Sequence, residues 1–267
     1  MAPDGSARRD TGDPASRALD GHSRRAVVVV ADRFARYARG DRVLTMSGLL
    51  ALIEAAGSET GDGHWVVHAG QGVDGTDCDL IETATDKSGA PVCLADPAGF
   101  RKPYAPAAIV HKDRQPNVLL SAVHSPEDRL CRADLRIHRD NELILDHHTG
   151  EHVQGIVIVE AMRQICIAQF ETAVRAGLGP VAYAGVWQRI DLSFRDFLFP
   201  LPATVESRIE EADLGRETHC KFRAATAVHQ GGRTVATAAI DYSMIAQGRI
   251  DALERRKADQ ATRAYLG

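Results

Sequence analysis

Glu160 and Arg163, in the run VEAMRQ, are the pair in this chain whose types and spacing could do chemistry. On a helix, positions i and i+3 share a face, and Gln164 lies one step further along it. A carboxylate so placed can take a proton from water or from a hydroxyl, the more readily if burial lifts its pKa toward neutrality. The guanidinium beside it can orient the carboxylate or hold a phosphate. His152 lies eight residues before Glu160, in phase with the same stripe. His147 and His148 stand in the loop DHHTGEHVQG ahead of the helix, where an imidazole can move a proton or simply cap the loop. Backbone N–H groups around Gln154, Gly155 and Ile156 have no carbonyl one turn back and sit at the positive end of the helix dipole, so they can polarise a carbonyl. Gly155 leaves room for a close approach. The competing reading is an ion pair that only ties helix to sheet, since opposite charges at i and i+3 are common on helices.

The elements that must position these residues are legible in outline. Residues 1–24, rich in Asp, Arg, Gly, Ser and Pro, read as a disordered leader. Residues 25–96 read as a small α/β domain. AVVVVAD is a buried strand, GLLALIEAAG a helix with Ser47 as cap, HWVVHAG a strand, CDLIETATD a short helix capped by Thr76 or Asp77, and APVCLAD a third strand. That alternation implies a short parallel sheet. Prolines at 91, 97, 103 and 106 mark a linker over 97–106. Beyond it, IVHK, NVLLSAV and RLCRADLRIH read as strands, the last with Cys131, Ala133, Leu135 and Ile137 on one face. A helix is expected from about Val153 to Ala176, largely apolar around its girth and therefore wrapped by a sheet. Four further strands follow, and residues 246–267 form a charged amphipathic helix or tail. One long helix amid antiparallel strands is an α+β layout.

Composition narrows the field. The 267 residues are 44% hydrophobic with a formal charge of −4, which gives no electrostatic reason to expect nucleic acid or an anionic membrane as partner. No apolar stretch reaches the ~20 residues of a membrane helix, and the start lacks the apolar core of a secretory signal, so a cytoplasmic protein is expected. Five scattered cysteines without a Cys-x-x-Cys pair read as reduced packing residues. His111, His124 and His138 lack metal-ligand spacing with the later histidines, and no metal or other cofactor is expected. GQGVDG, with Gly70, Gly72 and Gly75, is a literal Gly-x-Gly-x-x-Gly after a strand, with Asp96 ending the next one. The short helix behind it favours a tight turn over a dinucleotide site. Trp187 and Phe194 read as core or tunnel lining rather than a platform for bases.

The run DHHTGEHVQGIVIVEAMRQ, with Asp146, His147, Gly150, His152, Val153, Gly155, Glu160, Ala161, Arg163 and Gln164, resembles the motif of the A-factor biosynthesis (AfsA-like) hotdog family. VHKDRQPNVLLSAV resembles the opening of the same domain, and the resemblance spans roughly residues 107–245. It is similar, more loosely, to hotdog dehydratases of fatty-acid synthesis. The resemblance implies an antiparallel sheet wrapped around a long central helix. It also implies an acyltransferase of specialised metabolism, moving a β-ketoacyl group from acyl carrier protein or a CoA thioester to a hydroxyl acceptor such as dihydroxyacetone phosphate, toward butyrolactone or furan signals. Glu160 would be the base, and Arg163 would bind phosphate or orient Glu160. His147 would act in a dehydratase, while Gln154, Gly155, Ile156, Gln164 and His152 would meet the substrate. Family members commonly carry two hotdog repeats, and no second Glu-Ala-x-Arg-Gln occurs before residue 100, so a homodimer through the hotdog domain is expected. A thioesterase, a dehydratase and a non-catalytic acyl-binding or docking module are the alternatives.

Overall fold

The computed structural model describes residues 24–56, 64–144 and 151–267. Two sheets organise the chain. The first is parallel and four-stranded, built from β1 (Arg24–Val30), β2 (Val43–Thr45), β3 (His64–Ala69) and β4 (Val92–Leu94) in the order β2-β1-β3-β4. One strand more is present than the hydrophobic runs suggest, because the three residues of β2 are too short to show a pattern. Helices α1 (Met46–Ala56) and α2 (Gly75–Ser88) complete the crossovers. Met46, Leu49 and Ile53 line the buried side of α1 at helical spacing and pack with Val27, Val29, Val67 and Ile81 in a compact second core.

The caps differ from those read off the sequence. Helix α1 starts one residue before Ser47. Its free N–H groups are taken by Asp32, which accepts from Ser47 N at 2.9 Å, and by Thr45 Oγ1, which accepts from Gly48 N at 3.1 Å. Helix α2 is capped by Asp74 in a reciprocal capping box with Asp77, not by Thr76, and it ends on Gly89 in the left-handed region. Nor are residues 97–106 loose: Pro97–Phe100 forms a short helix α3, and Phe100 and Ala105 are buried.

The second sheet is antiparallel and six-stranded. Strands β5 (Leu120–Glu127), β6 (Leu130–Leu135), β7 (Tyr183–Phe194), β8 (Ala203–Asp213), β9 (His219–Gln230) and β10 (Arg233–Ala246) run in the order β5-β6-β8-β9-β10-β7. Alternation is clean where one face is covered. Cys220, Phe222, Ala224 and Val228 of β9 point inward, as do Ala238, Ile240, Tyr242 and Met244 of β10. Gly231 and Gly232, at φ 57° and 76°, make the tight turn between them, which needs positive φ at both positions. Against this face lies α4 (Gly155–Gln169), continued by a π turn over Phe170–Val174. Met162, Ile165, Cys166 and Ala168 of α4 are wholly buried. Each large side chain so buried contributes about 1.5–3 kcal/mol relative to exposure. The hotdog arrangement expected from the sequence is thus present, preceded by a small α/β unit with a short parallel sheet. The final helix, α5 (Gln247–Leu266), buries only Ile250.

One element is misread by pattern alone. IVHK is no strand: Ala107–Val110 forms a 3-10 turn closed by His111 at φ 52°. The prolines on both sides, 106 and 116, and the inward pull of Val110 favour a turn packed under α4 over a ladder. Among the described residues, no helix is long and apolar enough to cross a membrane.

Candidate functional site

Helix α4 carries Glu160 five residues from its start, and three donors converge on that side chain. Arg163 grips it with two hydrogen bonds, Nε to Oε2 and Nη2 to Oε1, each 2.8 Å. Lys112 reaches Oε1 at 2.8 Å, and Gln164 Nε2 donates to the same oxygen at 2.9 Å. Oε1 is therefore crowded by three donors, while Oε2 accepts from Arg163 alone among the described residues. Burial works to raise the Glu160 pKa. The hydrogen bonds and charge of Arg163, with hydrogen bonds from Lys112 and Gln164, outweigh it and hold the carboxyl below its ordinary 4.5. Burial therefore does not lift it toward neutrality: two cations and an amide more than offset the desolvation.

Lys112 is the member that sequence reasoning missed. No periodicity links position 112 to position 160. The only signal was its place in VHKDR, at the opening of the family-like segment. The chain brings it in through the 3-10 turn, which is pinned beside α4 by the His111 Nε2 contact to Glu171 Oε1 at 3.1 Å. Gln164 fastens the next segment: its Oε1 accepts from Leu119 N and its Nε2 donates to Asn117 O, both 2.8 Å. Expected among the substrate contacts, Gln164 is instead fully buried with its amide spent inside the chain. Its geometry fits a positioning residue. Glu160, Lys112 and Arg163 retain 16%, 26% and 27% of their side-chain exposure, so water reaches the ion cluster.

The other candidates gather at the start of α4. His152, Val153, Gly155 and Ile158 line a groove of about 500 Å³ together with Phe194 and Leu198. Phe194 and Phe197 are exposed there despite their size, and Ile156 in the first turn of α4 is 53% exposed. His152 precedes the helix rather than extending its stripe, and its ring lies against Phe197 with centroids 4.8 Å apart. Gly155 does give close approach, but to protein: a Cβ there would stand 2.8 Å from Phe194 Cζ. Gln154 is the N-cap, 5% exposed, and its Oε1 has no hydrogen-bond partner. Val157 N is turned back to Gln154 O at 3.1 Å, which leaves Gly155 and Ile156 as the first residues of the helix without an intrahelical carbonyl. Asp146, His147, His148 and Gly150 lie outside the described residues.

The glycine turn after β3 has a different fate. Gly70 packs so tightly that a Cβ would lie 2.6 Å from Val30 Cγ1 and 2.8 Å from Pro200 O; at Gly72, with φ 81°, it would lie 2.5 Å from Ala31 Cβ. Buried Gln71 between them donates to Leu135 O at 3.0 Å and Leu201 O at 3.1 Å, and accepts from Ile137 N at 2.8 Å. The start of α2 is saturated by Asp74 and Asp77, both of which Arg139 contacts. Where a dinucleotide would need open N–H groups, Gly70 N donates to Val29 O, Gln71 N donates to Pro200 O, and the start of α2 is capped by its own carboxylates.

The profile of the A-factor biosynthesis hotdog domain matches residues 98–246, more than half of the chain, and the chain belongs to that family. The match begins nine residues before the boundary drawn from the prolines and includes all of α3 but Pro97. Solved structures similar to the chain include a dehydratase heterocomplex from Xenorhabdus doucetiae, 15% identical over 57% of this chain and 98% of that one, with a TM-score of 0.44. A thioesterase protein with coenzyme A from Streptococcus pneumoniae is 14% identical over 47% and 85%, with a TM-score of 0.33. A comparison with curated proteins finds no match.

Proposed function

We propose that the chain is an acyltransferase that takes a β-ketoacyl group from an acyl carrier protein, or from the equivalent CoA thioester, and passes it to a small phosphorylated hydroxyl compound such as dihydroxyacetone phosphate. The observation that carries this reading is the ion cluster on α4. One carboxylate stands among two cations, partly exposed, with one oxygen still open to a further donor. A plain structural pair needs one cation; the second leaves a net positive charge suited to an anionic substrate.

In this reading the acyl chain lies along the apolar groove beside Phe194 and Phe197, and the thioester carbonyl meets the N–H groups of Gly155 and Ile156. The acceptor hydroxyl oxygen attacks the carbonyl carbon while its proton passes to Oε2 of Glu160. The C–S bond then breaks and the proton goes on to the leaving thiolate, which leaves an ester and free carrier thiol. Arg163 keeps Oε2 directed, and Gln164 fixes the carboxylate against the 117–119 segment. A second copy completes the site in this reading. Among the described residues β7 pairs only with β10, which leaves its outer edge without a strand partner there, and it ends at Phe194 beside the groove; pairing through that edge makes a homodimer with two adjacent sites.

Intact-protein mass spectrometry of β-ketoacyl carrier protein tests the reading, with dihydroxyacetone phosphate and the wild-type or Glu160→Gln chain. Acceptor-dependent loss of the acyl mass that the variant lacks supports it. Loss without acceptor makes the chain a thioesterase, loss of one water from a hydroxyacyl carrier makes it a dehydratase, and an untouched carrier makes it a binding module.

A further inference from the structure

Lys112 and Arg163 hold Glu160 in different ways. Arg163 is bidentate and comes from the same helix, so its grip is set by the backbone of α4. Lys112 makes one contact, to the oxygen already served by Arg163 and Gln164, from the end of a four-carbon chain rooted in a turn. Of the three donors it is therefore the one that can leave at least cost: Oε1 keeps two partners without it, and a lysine ammonium swings on freely rotating bonds. Its side chain is about a quarter exposed, so an anion arriving from solvent can reach it. Two cations facing one carboxylate also leave an attraction for a second anion that no ion pair among the described residues fills.

We infer that Lys112 is a switch cation: the phosphate of the acceptor draws its ammonium away from Glu160, so that the acceptor itself frees the carboxylate to act as base. The inference rests on the transferase reading above and extends it to the control of that site. Before the acceptor binds, Glu160 is held by three donors and is a poor base toward water, and the acyl thioester is spared hydrolysis. Once a phosphate takes Lys112, Oε1 has lost a charge-assisted hydrogen bond. Glu160 is then more basic at the moment when the acceptor hydroxyl stands beside it. Discrimination between alcohol and water thus comes from the phosphate rather than from exclusion of solvent.

The test separates the phosphate from the hydroxyl. The full chain, with its glutamate side-chain carboxyls labelled with carbon-13, is titrated with inorganic phosphate and followed by NMR, the Glu160 signal being assigned by its absence in Glu160→Gln. The signal should move in the wild type and in Lys112→Arg, and stay still in Lys112→Met and Lys112→Gln. The unchanged remaining carboxyl signals show that these variants are folded. In parallel, transfer from β-ketoacyl carrier protein to unphosphorylated dihydroxyacetone is measured with and without inorganic phosphate. An acceleration of about tenfold is expected in the wild type, the scale of one charge-assisted hydrogen bond, and none in Lys112→Met. A Glu160 signal indifferent to phosphate in the wild type, or equally responsive in Lys112→Met, overturns the switch even if transfer occurs. A responsive signal with an inert carrier upholds the switch and overturns the transferase.

Discussion

The glycine turn after β3 and the first turns of α4 both carry motifs that promise a ligand, and they end as opposites. At the turn, the side-chain amide of Gln71 is spent on Leu135, Leu201 and Ile137, and a Cβ at Gly70 or Gly72 would meet Pro200, Val30 or Ala31, while Gly70 and Gln71 also border a groove of about 520 Å³. At α4, large side chains stay exposed, Gln154 Oε1 has no partner, and two cations share one carboxylate. A motif whose hydrogen-bonding capacity is consumed inside the fold serves assembly; one left with surplus capacity is free to bind. Burial and hydrogen-bond accounting separate the two where residue types alone do not.

If that contrast holds, changes at α4 should damage chemistry and spare stability, while changes at the turn should do the reverse. The largest effect is expected from Glu160→Gln. Transfer, followed by product mass, should fall about a thousandfold, or about 4 kcal/mol, with only a small drop in melting temperature near neutral pH because Arg163 and Lys112 can turn to water. Next comes Gln71→Ala, which strands Leu135 O, Leu201 O and Ile137 N in a buried site. Urea unfolding should show a loss of about 3 kcal/mol, with turnover per folded molecule intact. Gly155→Ala is milder, about 1 kcal/mol, because Phe194 can swing its exposed ring aside. Its signature should be altered acyl-chain preference rather than unfolding. The smallest effect concerns acid. Glu160 has a folded pKa below its ordinary 4.5, so its stabilising contribution is present above about that pH and lost as pH falls through the folded value. Melting curves of wild type and Glu160→Gln should therefore draw together below pH 4.5. A gap that widens there would overturn the placement of the cations.

Much of the site was legible because it is local. Glu160, Arg163 and Gln164 share a face through nothing more than helical spacing, and a largely apolar segment of that length must be wrapped by a sheet. The strands β8 to β10 show their inward faces by alternation, and the hairpin glycines mark their turn. Lys112 was not legible, because 48 positions of chain separate it from Glu160 and only the turn at 107–111 brings it back. Nor was Gly155's service to Phe194, since a glycine tells that something comes close without telling what.

Helix phase and strand alternation, set by backbone geometry over a few residues, were thus decided by the sequence alone, together with the pairing of Glu160 to Arg163. The tertiary structure decided that the side-chain amide of Gln71 is spent inside the fold while large side chains stay exposed at the start of α4. It also decided that Glu160 is held as an anion rather than pushed toward neutrality. Both outcomes depend on the balance between desolvation and the hydrogen bonds that distant segments supply, and that balance exists only once those segments are packed together.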